Sequence, residues 1–222
     1  MVDIFDEVEE DLRAERAARM MKKYGWLIIV MAVAVIGAAI AWQLYVRAQN
    51  QADAAAAARY VAAVNAIEGG PADASHADQI PVLEQIIATA PDGYKTLARL
   101  HAAGLKAKNN DLPGAEALWN AVAADSDADK LLRDFATLMA AQHEIDHGNP
   151  DQIKARLQPL ASLDNPWSAL AQEQLAILDL RLGKTADARK ALQALTVDIM
   201  APAGVRTRAS ALLAGLNSGG TT

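Results

Sequence analysis

One long apolar stretch dominates the hydropathy pattern of the chain, residues 25–46, GWLIIVMAVAVIGAAIAWQLYV. Its 22 residues carry no charge. A helix of that length rises about 33 Å, enough to cross a hydrocarbon core of about 30 Å. A core helix of a water-soluble protein usually keeps a polar stripe, and this stretch has none. The pattern therefore predicts a transmembrane helix over 25–46.

The residues that flank this stretch indicate its orientation. Aromatic rings stand near both ends, where the two membrane–water interfaces would lie. Basic residues cluster before the stretch, at Arg13, Arg16, Arg19, Lys22 and Lys23, whereas only Arg47 and Arg59 follow closely. Because basic residues are retained in the cytoplasm, we expect a cytoplasmic N-terminus, with residues 47–222 in the periplasm of a bacterium. The stretch is too long and starts too late for a cleaved signal peptide.

Residues 1–24 are densely charged. Ile4, Val8 and Leu12 recur every four residues, which predicts a narrow apolar stripe on a short helix. Acidic residues crowd the start of this helix and basic residues its end, an arrangement that suits the helix dipole. A docking helix for a cytosolic or membrane partner and a solvated extension of the anchor both fit this pattern.

After residue 46 the pattern is helical throughout and no strand is indicated. Residues 47–67 contain no helix breaker, so the anchor is expected to continue into a connecting helix that Gly69-Gly70-Pro71 ends. Turn residues then separate helices predicted at 78–90, 94–108, 113–125, 128–147, 150–163, 166–182, 185–197 and 202–216. The predicted organisation is a cytosolic segment 1–24, a transmembrane helix 25–46, a connecting helix and loop 47–76, a repeat domain 77–216 and a disordered tail 217–222.

The later helices form an internal repeat. The turn residues Asn110, Gly148 and Gly183 lie 38 and 35 residues apart. Alanine stands seven and twelve residues before each of them, and apolar residues, most of them large, stand five, nine and twelve after: Ala115, Trp119 and Val122; Ile153, Leu157 and Leu160; Ala188, Leu192 and Leu195. A weaker fourth copy is predicted from Ala77, with Val82 and Ile86. Since one helical hairpin cannot bury its apolar face alone, the sequence predicts an all-α solenoid of three to four stacked helix pairs.

These repeats resemble the tetratricopeptide repeat, in a degenerate form. The layout of the whole chain, together with the stretch TAPDGYKTLARL at 89–100, resembles the ancillary SecYEG translocon subunit (YfgM-like) family. The resemblance implies a single-pass inner-membrane protein near the translocon that is linked to periplasmic chaperones.

One short motif suggests catalysis. His143-Glu144-Ile145-Asp146-His147 fits H-E-x-x-H, which on a helix can hold Zn²⁺ with the glutamate as general base. The third histidine of the extended pattern is missing, and the motif ends at Gly148, where the helix is expected to stop. A zinc metallopeptidase is therefore a remote alternative, and no metal site, catalytic residue or cofactor is predicted.

Apolar residues that recur on the first helix of each pair could line the concave groove of a repeat stack and accept a peptide or helix. Packing between adjacent pairs explains the same spacing. The predicted groove residues are Leu97, Leu100, Phe135, Leu138, Gln142, Glu173 and Ile177, of which Gln142 and Glu173 interrupt the apolar stripe.

Composition narrows the class of partner. The chain has 21 Lys and Arg against 27 Asp and Glu, a net charge of −6, which opposes nucleic acid as a main partner. It has no cysteine, so disulfides and thiolate chemistry are excluded. We expect a non-enzymatic adaptor that contacts the bilayer and protein partners, namely translocon subunits and a periplasmic chaperone, with no small-molecule substrate. A scaffold subunit of another envelope complex, in cell division or respiratory assembly, is the alternative.

Overall fold

The structure, a computed structural model, describes residues 4–71 and 74–218; for residues 4–21 and 28 it describes the backbone alone. Within these residues the chain is helical and contains no strand, which confirms the all-α prediction. The helices are α1 (Ile4–Glu68), α2 (Gln79–Thr89), α3 (Asp92–Lys108), α4 (Leu112–Ala123), α5 (Lys130–Glu144), α6 (Pro150–Leu157), α7 (Ser168–Arg181), α8 (Thr185–Val197) and α9 (Ala203–Ser218). A 3₁₀ turn, Gln158–Ala161, follows α6.

The first helix, α1, is 65 residues long and carries the apolar stretch 25–46. It is long and apolar enough to cross a membrane, and none of its most apolar window is buried by the rest of the protein. The proposed apolar stripe of Ile4, Val8 and Leu12 lies outside the described side chains. The chain divides into two compact units, Met1–Ala54 and Ala55–Thr222, and the repeat architecture belongs to the second.

The second unit is a stack of helical layers, each with its own apolar cluster. The last part of α1 packs with α2 and α3, then α3 with α4 and α5, then α5 with α6 and α7, and finally α7 with α8 and α9. Each layer shares a helix with the next, so the core is continuous along the stack although no single layer is large.

The offsets identified in the sequence account for this core. Every residue at the three offsets after the turns and at the two alanine offsets before them is at most 4% exposed. The later alanines, Ala103, Ala141 and Ala176, lie in clusters with the following helix, onto which its large residues press. The earlier alanines, Ala98, Ala136 and Ala171, lie in clusters with the preceding pair, so small side chains allow close approach on both sides. The fourth copy is confirmed in part: the predicted Ile86 is buried beside Ala63 of α1, whereas the predicted Val82 is 39% exposed and its neighbour Leu83 is buried instead.

The turns between first and second helices are built in two ways. Asn110 and Gly183 have φ of 64° and 74°, and each turn closes with a bond from the next residue to the carbonyl five before it, Asp111 to Lys106 at 2.9 Å and Lys184 to Asp179 at 2.8 Å. Gly148 does not have a positive φ. A Cβ there would lie 2.9 Å from the Glu144 carbonyl oxygen and 3.0 Å from Cδ1 of Ile153. Glycine at position 148 therefore lets the backbone pass close to both groups.

Long-range hydrogen bonds show how the helices of the second unit align. Trp167 Nε1 donates to the Leu131 carbonyl at 3.1 Å, which places the starts of α5 and α7 together. Arg181 donates to the Gly148 carbonyl at 2.9 Å, which places their ends together. We call the end where residues 55–68, α3, α5, α7 and α9 begin the N-end of the stack, and the opposite end the C-end.

Most helix boundaries fall within two residues of those predicted, but three differ in a way that matters. α5 ends at Glu144, three residues early, because the chain turns at the close contact of Gly148. α6 ends at Leu157 and continues as a 3₁₀ turn rather than as α-helix to 163. α9 reaches Ser218, so the first two residues of the predicted disordered tail are helical; residues 219–222 lie outside the described residues.

Candidate functional site

A depression of about 840 Å³ opens on the face formed by the first helices of the second unit. Apolar side chains supply most of its wall. They come from the end of α1, from α3, from the start of α5 and from the turn before α7: Ile67, Leu97, Leu100, Leu105, Leu131, Leu132, Phe135 and Trp167. A concave, mainly apolar surface with a few polar groups is typical of a binding site. We call it the apolar depression.

The repeat itself places these side chains on the open face. Leu97 and Phe135 each precede a fully buried alanine, Ala98 and Ala136, that packs against the helices before its own hairpin. Successive residues on a helix are about 100° apart, so the neighbour of each alanine turns away from that contact. Leu97 and Phe135 are half-buried as a result.

An aromatic pair forms one wall of the apolar depression. The rings of Phe135 and Trp167 lie 5.1 Å apart at 41°, and the indole N–H of Trp167 is held by the Leu131 carbonyl. Both rings are therefore fixed before any partner binds. Fixed, partly exposed aromatic rings lose little conformational entropy on binding and often dominate the affinity of interfaces.

The polar groups of the apolar depression lie on α3 and near the end of α1. The His101 ring stands edge-on to Tyr60 at 5.6 Å. Burial lowers the pKa of His101 below its ordinary value of 6.5, although the nearby Glu68 carboxylate acts in the opposite direction. One turn away, Gly104 is exposed, and a Cβ built there meets no atom within 4 Å. At Gly104 the backbone of α3 is therefore open to an incoming partner.

A second depression, of about 500 Å³, lies between α5, α7 and α9, lined in part by Gln142, Asp146, Ile177 and Arg208. It is more polar than the first. At its base the Glu173 carboxylate is only 1% exposed and accepts two hydrogen bonds from Arg208, at 2.7 Å from Nε and 2.5 Å from the terminal nitrogen. The carboxylate of Glu173 raises the pKa of Arg208. This fork joins α7 to α9.

The structure divides the seven predicted groove residues. Leu97, Leu100 and Phe135 line the apolar depression, whereas Gln142, Glu173 and Ile177 line the second. Leu138, which is 2% exposed, belongs to the core between α5, α6 and α7. Leu138 and Glu173 are too buried to touch a partner directly, and they support the surface from below.

Sequence reasoning missed Ile67, Gly104, Leu131 and Trp167. A tryptophan directly after the turn residues Asn165 and Pro166 was the available signal, since an aromatic ring at the start of a first helix faces its neighbour in a repeat stack. Gly104 gave no signal in the sequence, because only the packing shows that its missing side chain leaves space.

The structure separates the residues of the H-E-x-x-H motif. His143 stacks on Trp119 with ring centroids 4.7 Å apart, and Glu144 pairs with Arg156. His147 follows the end of α5, with its Nε2 3.4 Å from Oε1 of Glu116. Two metal ligands on one helical face require both histidines on one helix. Within the described residues no group of three or more His, Asp or Glu side chains could hold a metal ion.

The family comparison agrees with this architecture. The model of the tetratricopeptide repeat-like domain matches residues 19–194, from before the apolar stretch to within α8. The chain belongs to this tetratricopeptide repeat-like domain family. Such helical domains are typically interaction modules without catalytic function, which supports a protein-binding role. Comparison with curated proteins and with solved structures found no significant match.

Proposed function

We propose that this protein is a membrane-anchored adaptor that holds an apolar segment of a protein partner in its apolar depression. The observation that carries the proposal is the apolar depression itself, formed by the first helices of a repeat family that binds proteins. Its fixed Phe135–Trp167 pair supplies the anchor expected at the centre of an interface. The polar groups near its rim, including Glu68 and His101, give direction to a bound segment.

The finer assignment is to an accessory of the Sec translocon and its periplasmic chaperones, at the bacterial inner membrane. It is supported by the resemblance of the chain to the ancillary translocon subunit family and by the apolar helix before the repeats. An anchored adaptor near an exit site would meet partly folded chains, which expose apolar segments. A scaffold subunit of another envelope complex would use the same apolar depression, so the identity of the partner separates the two.

Photo-crosslinking in growing cells tests the role of the apolar depression. A photoreactive amino acid is placed at Leu100 or Phe135, and at Lys154 or Lys190, which are exposed on second helices, as controls. We expect specific adducts from the first two sites, with translocon subunits or a chaperone identified by mass spectrometry. Adducts with division or respiratory subunits would favour the alternative, and equal labelling from all four sites would contradict the proposal.

A substitution that fills the apolar depression provides a sharper test. Gly104→Leu adds a side chain into open space and raises helix propensity by about 1 kcal/mol, so the fold should be kept. Gly215→Leu makes the same change on α9, away from the apolar depression, where a Cβ also meets nothing within 4 Å. We expect Gly104→Leu alone to abolish the Phe135 adducts. If both variants retain them, the partner does not occupy the apolar depression.

A further inference from the structure

Four large apolar side chains protrude at the N-end of the stack. Leu163 is 94% exposed, Val197 78%, Ile199 88% and Met200 85%. Leu163 lies in the turn before α7, and the other three lie at or in the turn between α8 and α9. Side chains this exposed contribute little to the core, so their apolar character calls for another explanation.

Comparison with a similar turn in the same chain shows that the fold does not need apolar side chains at Ile199 and Met200. The turn between α4 and α5 and the turn between α8 and α9 are built alike, 73 residues apart. In each, an aspartate side chain accepts from the backbone N–H two residues on, a small buried alanine follows, and an arginine of the next helix donates to the carbonyls of the turn. The paired residues are Asp125 and Asp198, Ala128 and Ala201, and Arg133 and Arg206.

The two turns differ at their tips. Ser126 and Asp127 occupy the positions that Ile199 and Met200 occupy in the later turn. The same backbone therefore forms with two polar side chains, and the fold does not require apolar ones. Ile199 and Met200 are consequently candidates for contact with something outside the chain.

The later turn is suited to an apolar environment because four of its backbone groups are paired internally. The Met200 N–H donates to the Asp198 carboxylate at 2.8 Å, and the Ala201 N–H donates to the Asp198 carbonyl at 3.3 Å. Arg206 donates to the carbonyls of Asp198 and Ala201. Backbone groups already paired in this way reduce the desolvation that contact with an apolar medium requires.

The N-end is also the end at which the chain enters the stack from the apolar stretch. Tyr60 of α1 packs near Tyr94 at the start of α3, with ring centroids 6.0 Å apart, so residue 55 lies at this end. Residues 47–54 separate the predicted span from the second unit. Even fully extended, they reach only about 30 Å, so residue 55 lies within that distance of the end of the span.

We propose that Ile199 and Met200, with Val197 next to them and Leu163 at the same end of the stack, form a second membrane contact that dips into the interface of a phospholipid bilayer. The inference rests on the proposed membrane anchoring of residues 25–46. Asp164 and Asp198 adjoin these side chains, so the contact is apolar and does not require anionic lipid. A second contact, several helices from α1, fixes how the apolar depression faces the membrane.

Lipid quenching in vesicles tests the contact. The native chain has no cysteine, so single cysteines can be placed at Met200, at Lys184 of the C-end and at Val35 of the span in the full-length protein. Each carries an environment-sensitive fluorophore in phosphatidylcholine vesicles. We expect brominated acyl chains to quench positions 200 and 35, and aqueous iodide to quench position 184. If position 35 responds to lipid while 200 behaves like 184, the contact is disproved and the anchor stands. If 35 is not quenched by lipid, the anchoring is wrong and the inference falls with it.

A turn exchange excludes an artefact of the label. Ile199→Ser with Met200→Asp installs a tip that the protein already uses at 126–127, so folding should be unchanged, which thermal unfolding checks. With the fluorophore at Leu163, we expect the exchange to abolish lipid quenching, and Leu182→Ser at the C-end to leave it intact. Unchanged quenching in the exchanged protein overturns the inference. Shielding from iodide without lipid quenching also overturns it, because a protein would then cover the site.

Discussion

At the scale of single residues, the pair Glu173–Arg208 links the last helix to the stack. Glu173 is 1% exposed, and Arg208→Met would leave its carboxylate buried without a cation. Breaking a fully buried pair costs about 3–5 kcal/mol. We expect about 2–3 kcal/mol here, because the Arg208 side chain is 55% exposed and water offsets part of the loss. Urea unfolding of the detergent-solubilised protein measures this change.

The double variant is the informative control for this pair. Replacing Glu173 by Leu together with Arg208 by Met removes both charges, so most of the stability should return. Lys190→Met, on an exposed face of α8, should change the unfolding free energy by less than about 0.5 kcal/mol. A single Arg208 variant as stable as this control would show that the pair is not needed to hold α9.

His101 predicts a pH dependence of stability. Its pKa is lowered in the folded protein, mainly by burial, so the unfolded chain binds the proton more tightly. Stability contributed by neutral His101 is therefore present above the unfolded value of about 6.5 and is lost as the pH falls below it. We expect His101→Gln to lose less stability than the native protein between pH 7.5 and pH 5.5, as measured by denaturant unfolding. A steeper loss in the variant would contradict the assigned direction of the shift.

Some residue roles could be predicted from the sequence, and others became clear only from the packing of the helices. The buried alanines and the large residues after each turn followed from spacing, because helix geometry fixes which residues share a face. The partner of Glu173 did not follow, since an ion pair across 35 residues depends on the register of α7 against α9. For the same reason Glu173 was expected at the surface although it is buried.

At the scale of elements, two glycines in different backbone settings, a turn and a helix, give opposite expectations. Gly183 has a φ of 74°, so Gly183→Ala forces a left-handed conformation that costs about 1–2 kcal/mol. Gly215 lies within α9, where a Cβ meets nothing, so Gly215→Ala should stabilise by up to about 1 kcal/mol. Thermal unfolding of both variants checks the signs. A neutral Gly183→Ala would mean that the turn can adopt another backbone.

Element types were predictable because helical periodicity and turn residues agree along the chain. The departures have local causes. α5 stops early at the tight contact of Gly148, and the chain after Leu157 tightens into a 3₁₀ turn before α7. The first hairpin joins through a longer loop than the others, and in its second helix Leu83 is buried in place of the predicted Val82.

At the scale of the whole molecule, the fold of the second unit, which holds the repeats, and the membrane role of the apolar helix are separate questions. The family match and the packing settle what the repeat unit is. The first helix is suited to a membrane by length and composition, and its orientation follows only from the distribution of basic residues. For the candidate site, spacing indicated positions on the first helices, but only the packing shows which of these side chains remain exposed.

The absence of native cysteine makes that orientation directly measurable. Asp127→Cys, at an exposed turn of the repeat unit, should react with a membrane-impermeant maleimide in intact spheroplasts. Glu10→Cys, in the segment before the span, should react only after lysis, because the basic residues between it and the span predict a cytoplasmic location for that segment. Replacing Arg13, Arg16, Arg19, Lys22 and Lys23 by Gln removes this bias, so part of the population should then show the reverse labelling. Labelling of Glu10→Cys before lysis in the native sequence would place the repeat unit in the cytoplasm and remove periplasmic chaperones from its possible partners.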